Sequence, residues 1–286
     1  MTEPTADVRH GGLGAAESVF LDAAIRPPKV SGPPLTSRRS VRLIIAAALP
    51  LTILVGWQLS TALGWFTVVQ MPPPAMVGQA AVDLFERGLL VKFVAISAQR
   101  VLLGFAIGAS LGLALGALTG LSTTWDRFFG STLGAIRAVP SLAWVPLLII
   151  WLKIGEESKV TLITIGAFFP VFTTVSLALR HVDRHLVEAG RAFGLSGVRL
   201  LTQIQLPAVL PSVISGLRLA LAQAWMFVVA AELLAANAGL GFLLTDSSNN
   251  GRTDRIFLAI ILLAILGKTT DSILGVFERW AVRRWA

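Results

Sequence analysis

Long runs without charge alternate along this chain with short polar segments. Leu43 to Leu63 holds no Asp, Glu, Lys or Arg, and neither does Val101 to Leu121 or Val160 to Leu179. About 20 apolar residues at a helical rise of ~1.5 Å cross a hydrocarbon core of ~30 Å, so each run predicts a membrane-spanning helix. Three more spans are expected with interruptions: Phe128 to Leu152, broken by Arg137 and Pro140; Ala208 to Ala231, which holds Arg218; and Ile256 to Val276, which holds Lys268 and Asp271. Backbone polar groups in lipid must be satisfied within their own segment, which makes an all-α, polytopic protein of six transmembrane helices the expectation. Between the first two spans Pro72, Pro73 and Pro74 stop the chain, and Ala75 to Gln99 mixes apolar residues with Asp83, Glu86, Arg87 and Lys92, the pattern of an interfacial helix.

Composition agrees with a bilayer. Of 286 residues, 55% are hydrophobic and 14% charged, and the mean hydropathy is +0.75. The net charge of +8 is scattered between the spans and forms no basic stripe with interleaved aromatics, so no nucleic-acid partner is expected. Orientation explains the charge better. Fourteen of the 24 Lys and Arg residues fall on the side of the two termini, among them Arg38, Arg39, Arg127, Arg180, Arg191, Arg199 and Arg283, and seven fall on the other. Positive segments are retained inside, which places both termini in the cytoplasm. The expected layout is a flexible tail over 1–40 with no signal-peptide h-region and a first span over 41–66. An extracytoplasmic interfacial segment over 67–98 follows, then a core of five spans over 99–280 with a cytoplasmic loop at 180–207, and a cytoplasmic end at 281–286.

Chemistry is sparse. Cysteine is absent, which removes thiolate nucleophiles and cysteine metal ligands. His181 and His185 share a helical face but have no third ligand in reach, so no metal and no other cofactor is expected. No phosphate-binding Gly-x4-Gly-Lys-Ser/Thr loop occurs, so any ATP hydrolysis belongs to another protein. Charges inside spans usually face protein or water, which makes Arg218, Glu232 and Arg137 candidates for a translocation path, with Arg218 favoured; Lys268 and Asp271 are spaced to neutralise each other. Gly104, Gly108, Gly112, Gly116 and Gly120 recur every fourth residue, opening one helical face to close packing against another helix.

The loop between the fourth and fifth spans carries the most specific signal. Val182, Leu186, Ala189 and Phe193 step by four, three and four, one face of a helix. Gly194 can end that helix in the left-handed conformation, Ser196 can cap a second short helix from Gly197 to Gln203, and Pro207 is expected to end it and open the fifth span. Glu188, Ala189, Gly190, Gly194, Ile204, Leu206 and Pro207 together resemble the E-A-A-x3-G-x9-I-x-L-P motif of binding-protein-dependent ABC importer permeases, with Gly190 in place of the third-position alanine. The resemblance runs from about Gln99 to Trp285. It extends to Val139-Pro140-Ser141-Leu142-Ala143-Trp144, Ala231-Glu232-Leu233-Leu234-Ala235-Ala236-Asn237 and Leu266-Gly267-Lys268, and points to the branch that imports sulfonates, taurine and nitrate.

Membership of that family implies a type I importer fold and no enzymatic activity in this chain. It also implies a homodimeric second permease copy, a pair of cytosolic ATP-binding subunits, an extracytoplasmic solute-binding protein and surrounding membrane lipid as partners. The motif would be the helix that docks into the ATPase. An ion-coupled secondary transporter or a small-anion channel is the alternative; neither accounts for the loop, and the two repeated halves with paired broken helices expected of the former are not evident.

Overall fold

The computed structural model describes residues 39–285, with side chains from residue 47 onward except Ala235, Val282 and Trp285. The expected tail and its basic residues up to Arg38 lie outside the described residues. Every described element is helical: α1 (Arg39–Ala62), α2 (Pro74–Glu86), α3 (Leu89–Leu121), α4 (Thr123–Ala138), α5 (Val145–Leu152), α6 (Glu156–Arg180), α7 (Arg184–Ala192), α8 (Gly197–Leu200), α9 (Leu206–Ala235), α10 (Leu240–Asn249) and α11 (Thr253–Trp285). Residues up to Gly56, which hold most of α1, form one unit; the remainder from Trp57 forms a second, larger one.

Four helical stretches, Leu89–Leu121, Glu156–Arg180, Gly197–Leu234 and Thr253–Ala281, are long and apolar enough to cross a membrane. The pair α4 and α5 supplies a fifth crossing if taken together, and α1 is apolar over Ala47–Ala62. Two of these elements differ from the sequence expectation. The stretch around Phe128 to Leu152 is two helices bent by 88°. Pro140 has no N–H to continue α4 and forces Val139 into an extended conformation (φ −74°, ψ 125°), after which a 3₁₀ turn at Ser141–Trp144 starts α5. The stretch from Ala75 to Gln99 is likewise divided: α2 starts at Pro74, stops at Arg87, and Gly88 (φ 68°) turns the chain into α3. With 33 residues α3 is ~50 Å long, so it begins well before Val101 and carries Ser97 and Arg100 on its buried face.

The centre of the bundle is α3 against α6. An added Cβ at Gly104 would lie 2.5 Å from Ile163 Cγ2; at Gly112, 2.8 Å from Val171 Cβ and 2.9 Å from the Phe168 carbonyl; at Gly120, 2.9 Å from Leu179 Cβ. The glycine row thus receives α6 of the same chain, and backbone meets backbone with no room for a side chain. On its other side α6 packs against α9, where Gly166 makes way for the Phe227 ring. Val101, Leu162, Ile163, Ala224 and Val228 fill one end of this three-helix core, and Ala167, Val171, Val209 and Val213 fill the other. A separate cluster of Leu84, Phe93, Leu240, Leu243 and Leu258 holds α2 and α10 against α3 and α11.

Candidate coupling loop and charged sites

The loop after α6 is built by local rules. Asp183 caps α7, its Oδ1 accepting the His185 N–H at 2.9 Å. At the other end Gly194 takes φ 78°; its N–H donates to the Arg191 carbonyl (2.9 Å) and the Leu195 N–H donates to the Gly190 carbonyl (3.0 Å), a Schellman closure. The chain reverses and α8 returns beneath α7. Gly190 is buried there: a methyl group added to it would lie 2.7 Å from Leu200 Cδ1 and 3.2 Å from Ile204 Cγ1. The glycine in the motif's third position therefore lets two short helices meet closely.

Beyond α8 the expectation and the structure part. Ser196 makes no side-chain cap, and the second helix is not ended by Pro207: Leu201–Gln205 forms one π-helical turn that runs straight into α9. Pro207 sits in the first turn of α9 and cannot donate a backbone hydrogen bond. A wider turn before it relieves the clash of the ring with the preceding carbonyl and keeps the helix continuous. The apolar face of α7 points outward. Phe193 is 86% exposed, Leu186 48% and, on α8, Val198 75%. Glu188 and Ala189 are exposed on the same short helix. This apolar surface has no covering among the described residues.

The charges within the spans fall into three groups. Glu232 is 1% exposed and sits where α3, α9 and α10 meet. Its carboxylate accepts from Arg100 Nη1 (2.7 Å), Ser97 Oγ (2.8 Å) and the Gly241 N–H (2.8 Å). Arg100 also donates to Glu156 (2.7 Å to Oε2) and to the Ala238 carbonyl (2.7 Å), and Lys159 reaches Glu156 at 3.1 Å. Gly239 (φ 120°) lies against the Glu232 carboxylate, where a Cβ would overlap it. The oxygens of Glu232 are thus engaged and enclosed in this structure. It holds three helices together. Ser97 and Arg100, three residues apart on one face of α3, escaped sequence reasoning; the spacing was visible, the partner 132 residues away was not.

Arg218 is also held by ion pairs. Its Nε and Nη2 donate to Asp271 at 2.8 and 2.9 Å and its Nη1 to Glu278 at 2.9 Å, so two carboxylates of α11 absorb its charge. Asp271 pairs with Arg218 and hardly with Lys268, which is 3.9 Å away and 80% exposed on its side chain. Arg137 behaves differently: it is exposed, and its Nη1 donates to a neutral partner, the Thr173 hydroxyl, at 3.1 Å. No group of three or more His, Cys, Asp or Glu side chains able to hold a metal occurs among the described residues, His181 and His185 included.

The described residues thus form a bundle of long apolar helices with a glycine-row contact, a bent helix pair and an exposed, glycine-terminated loop. The chain belongs to the family of binding-protein-dependent transport system inner membrane components, whose profile matches residues 104–283. It is 40% identical over 235 residues to SsuC of Escherichia coli (strain K12), named as an aliphatic sulfonates transport permease, covering 82% of this chain and 89% of that protein. It is 32% identical over 246 residues to the taurine transport system permease protein TauC of the same organism, covering 84% and 89%. The fold is shared with the inward-facing MetNI methionine ABC transporter, at 20% identity and a TM-score of 0.62 over 68% of this chain and 97% of that one. The protein is thus a multi-pass inner-membrane ABC importer permease of the sulfonate, taurine and nitrate branch. Such subunits work with a separate ATPase and a binding protein and are not themselves enzymes.

Proposed function

We propose that this chain is one half of a homodimeric translocation unit importing aliphatic sulfonates, or the related small anions taurine and nitrate, and that Glu188 to Pro207 couples it to a cytosolic ATPase dimer. The observation that carries the coupling is the outward-facing apolar side of α7 and α8. Phe193, Leu186 and Val198 are solvated at a cost unless a partner covers them, and the Gly194 closure and Gly190 packing make the pair stiff enough to transmit a push. The direct continuation of α8 through the π turn into α9 supports this reading, because displacement of the loop would be delivered to the middle of the core. Arginine placement supports a cytoplasmic loop and cytoplasmic termini. The substrate class is supported by the names of the relatives above.

The experiment is uptake in proteoliposomes holding the permease, its ATPase and its binding protein, with radiolabelled ethanesulfonate, taurine and nitrate. ATP-dependent uptake of ethanesulfonate is the expected result. The variant Glu188→Arg with Gly194→Leu is expected to lose uptake and ATPase copurification while inserting normally; wild-type uptake in that variant contradicts the coupling role.

A further inference from the structure

The geometry points to an oxyanion-binding site at Arg137 and Thr173, on the wall of a cavity between α4 and α6. Two independent features carry it. The first is charge. In the helices packed around this region, Arg100, Lys159, Arg180 and Arg218 each face a carboxylate within 4.0 Å. Arg137 has none; its Nη1 rests on the Thr173 hydroxyl, and its other N–H donors have no acceptor among the described residues. A cation in a span without a counter-ion is costly in lipid and stable where water or an anion reaches it.

The second feature is space. A cavity of about 200 Å³ runs beside Arg137, lined by Gly130 and Gly134 of α4 and by Thr173, Ser176 and Arg180 of α6. The missing side chains at Gly130 and Gly134 keep it open beneath the guanidinium. At the far end Asp126 pairs with Arg180, so the charge gradient along the cavity is from the free cation at Arg137 to a neutralised pair. The planar fork of a guanidinium offers two parallel N–H groups to two oxygens of one group, and a hydroxyl beside it supplies a third contact. The ligand class is a small, singly charged oxyanion with at least two terminal oxygens, such as a sulfonate or nitrate. Arg137 lies in the last turn of α4, immediately before the bend at Val139 and Pro140, so an anion bound there sits at the joint between α4 and α5.

The anion's identity rests on the importer reading; the site itself does not, and the test needs neither ATPase nor binding protein. Because the chain has no cysteine, Gly134→Cys introduces a single thiol on the cavity wall, and an added Cβ there meets nothing within 4 Å. The full-length variant in membrane vesicles is reacted with a sulfonate-bearing methanethiosulfonate and with its trimethylammonium counterpart. The sulfonate reagent is expected to react about tenfold faster than the cationic one, with the ratio lost on adding Arg137→Gln and largely kept with Arg137→Lys. Millimolar ethanesulfonate or nitrate is expected to slow the reaction only where Arg137 is present. Equal rates for the two reagents, a ratio insensitive to Arg137→Gln, or no reaction with either overturns the site. Failure of ethanesulfonate and nitrate uptake with an intact reagent preference overturns the substrate class instead.

Discussion

Replacing Glu232 by glutamine leaves shape nearly unchanged and removes one buried charge. Three donors converge on this carboxylate: Arg100 Nη1 at 2.7 Å, Ser97 Oγ at 2.8 Å and the Gly241 N–H at 2.8 Å. An amide can accept at only one of its two positions, so its NH₂ must face at least one donor, and Arg100 loses its enclosed counter-ion. Breaking a buried pair costs ~3–5 kcal/mol. Arg100 keeps Glu156, whose side chain is 62% exposed, which places the expected loss at the low end, about 3 kcal/mol. For a chain of this size that is a fall of roughly 6–12 °C in midpoint. The assay is thermal denaturation of purified permease in detergent, read by the folded peak on gel filtration after heating. Glu156→Gln, at the exposed member, is expected to cost less than about 1 kcal/mol. The double variant Arg100→Met with Glu232→Leu is expected to lose much less than the two single changes together, because no uncompensated charge remains. A Glu232→Gln midpoint within about 1 °C of wild type refutes the assignment of this cluster as a lock between α3, α9 and α10.

Gly112→Leu has no accommodation, because the Cβ alone falls 2.8 Å from Val171 Cβ and 2.9 Å from the Phe168 carbonyl; membrane fractionation and gel filtration are expected to show loss of folded permease, whereas Gly78→Ala, with nothing within 4 Å, is expected to fold. Phe193→Ser removes a side chain that is 86% exposed, so the isolated permease is expected to keep its thermal midpoint within about 1 °C while ATPase copurification falls about tenfold. Gly194→Val forces a β-branched residue into φ 78°, expected to cost ~1–2 kcal/mol locally and to raise protease cleavage of the loop in membranes.

Much of this architecture is legible along the chain, because lipid demands long apolar runs and a helix allows few ways to meet that demand. The spans around Val101 and Val160 needed only counting. The glycine row announced a close helix contact, yet which helix fills it depends on tertiary pairing, and α6 became evident only in three dimensions. The partners of the charges were hidden for the same reason. Arg218 looked free in sequence because Asp271 and Glu278 are 53 and 60 residues distant, and Glu232 looked available because Arg100 and Ser97 lie far upstream. The loop motif could be read residue by residue, since capping and glycine closure are local; the π turn before Pro207 could not, being a compromise between two helices that each want to continue.

The central claim is that the exposed α7–α8 face receives the ATPase from the cytoplasm. Val198→Cys places a lone thiol on that face, at a position 75% exposed in a chain without cysteine. Labelling with a membrane-impermeant maleimide is compared in inside-out and right-side-out vesicles, with and without the purified ATPase subunits. Labelling confined to inside-out vesicles and suppressed when the ATPase is added is the predicted result. Labelling from the outer side, or an unchanged rate in the presence of ATPase that supports uptake, contradicts the account.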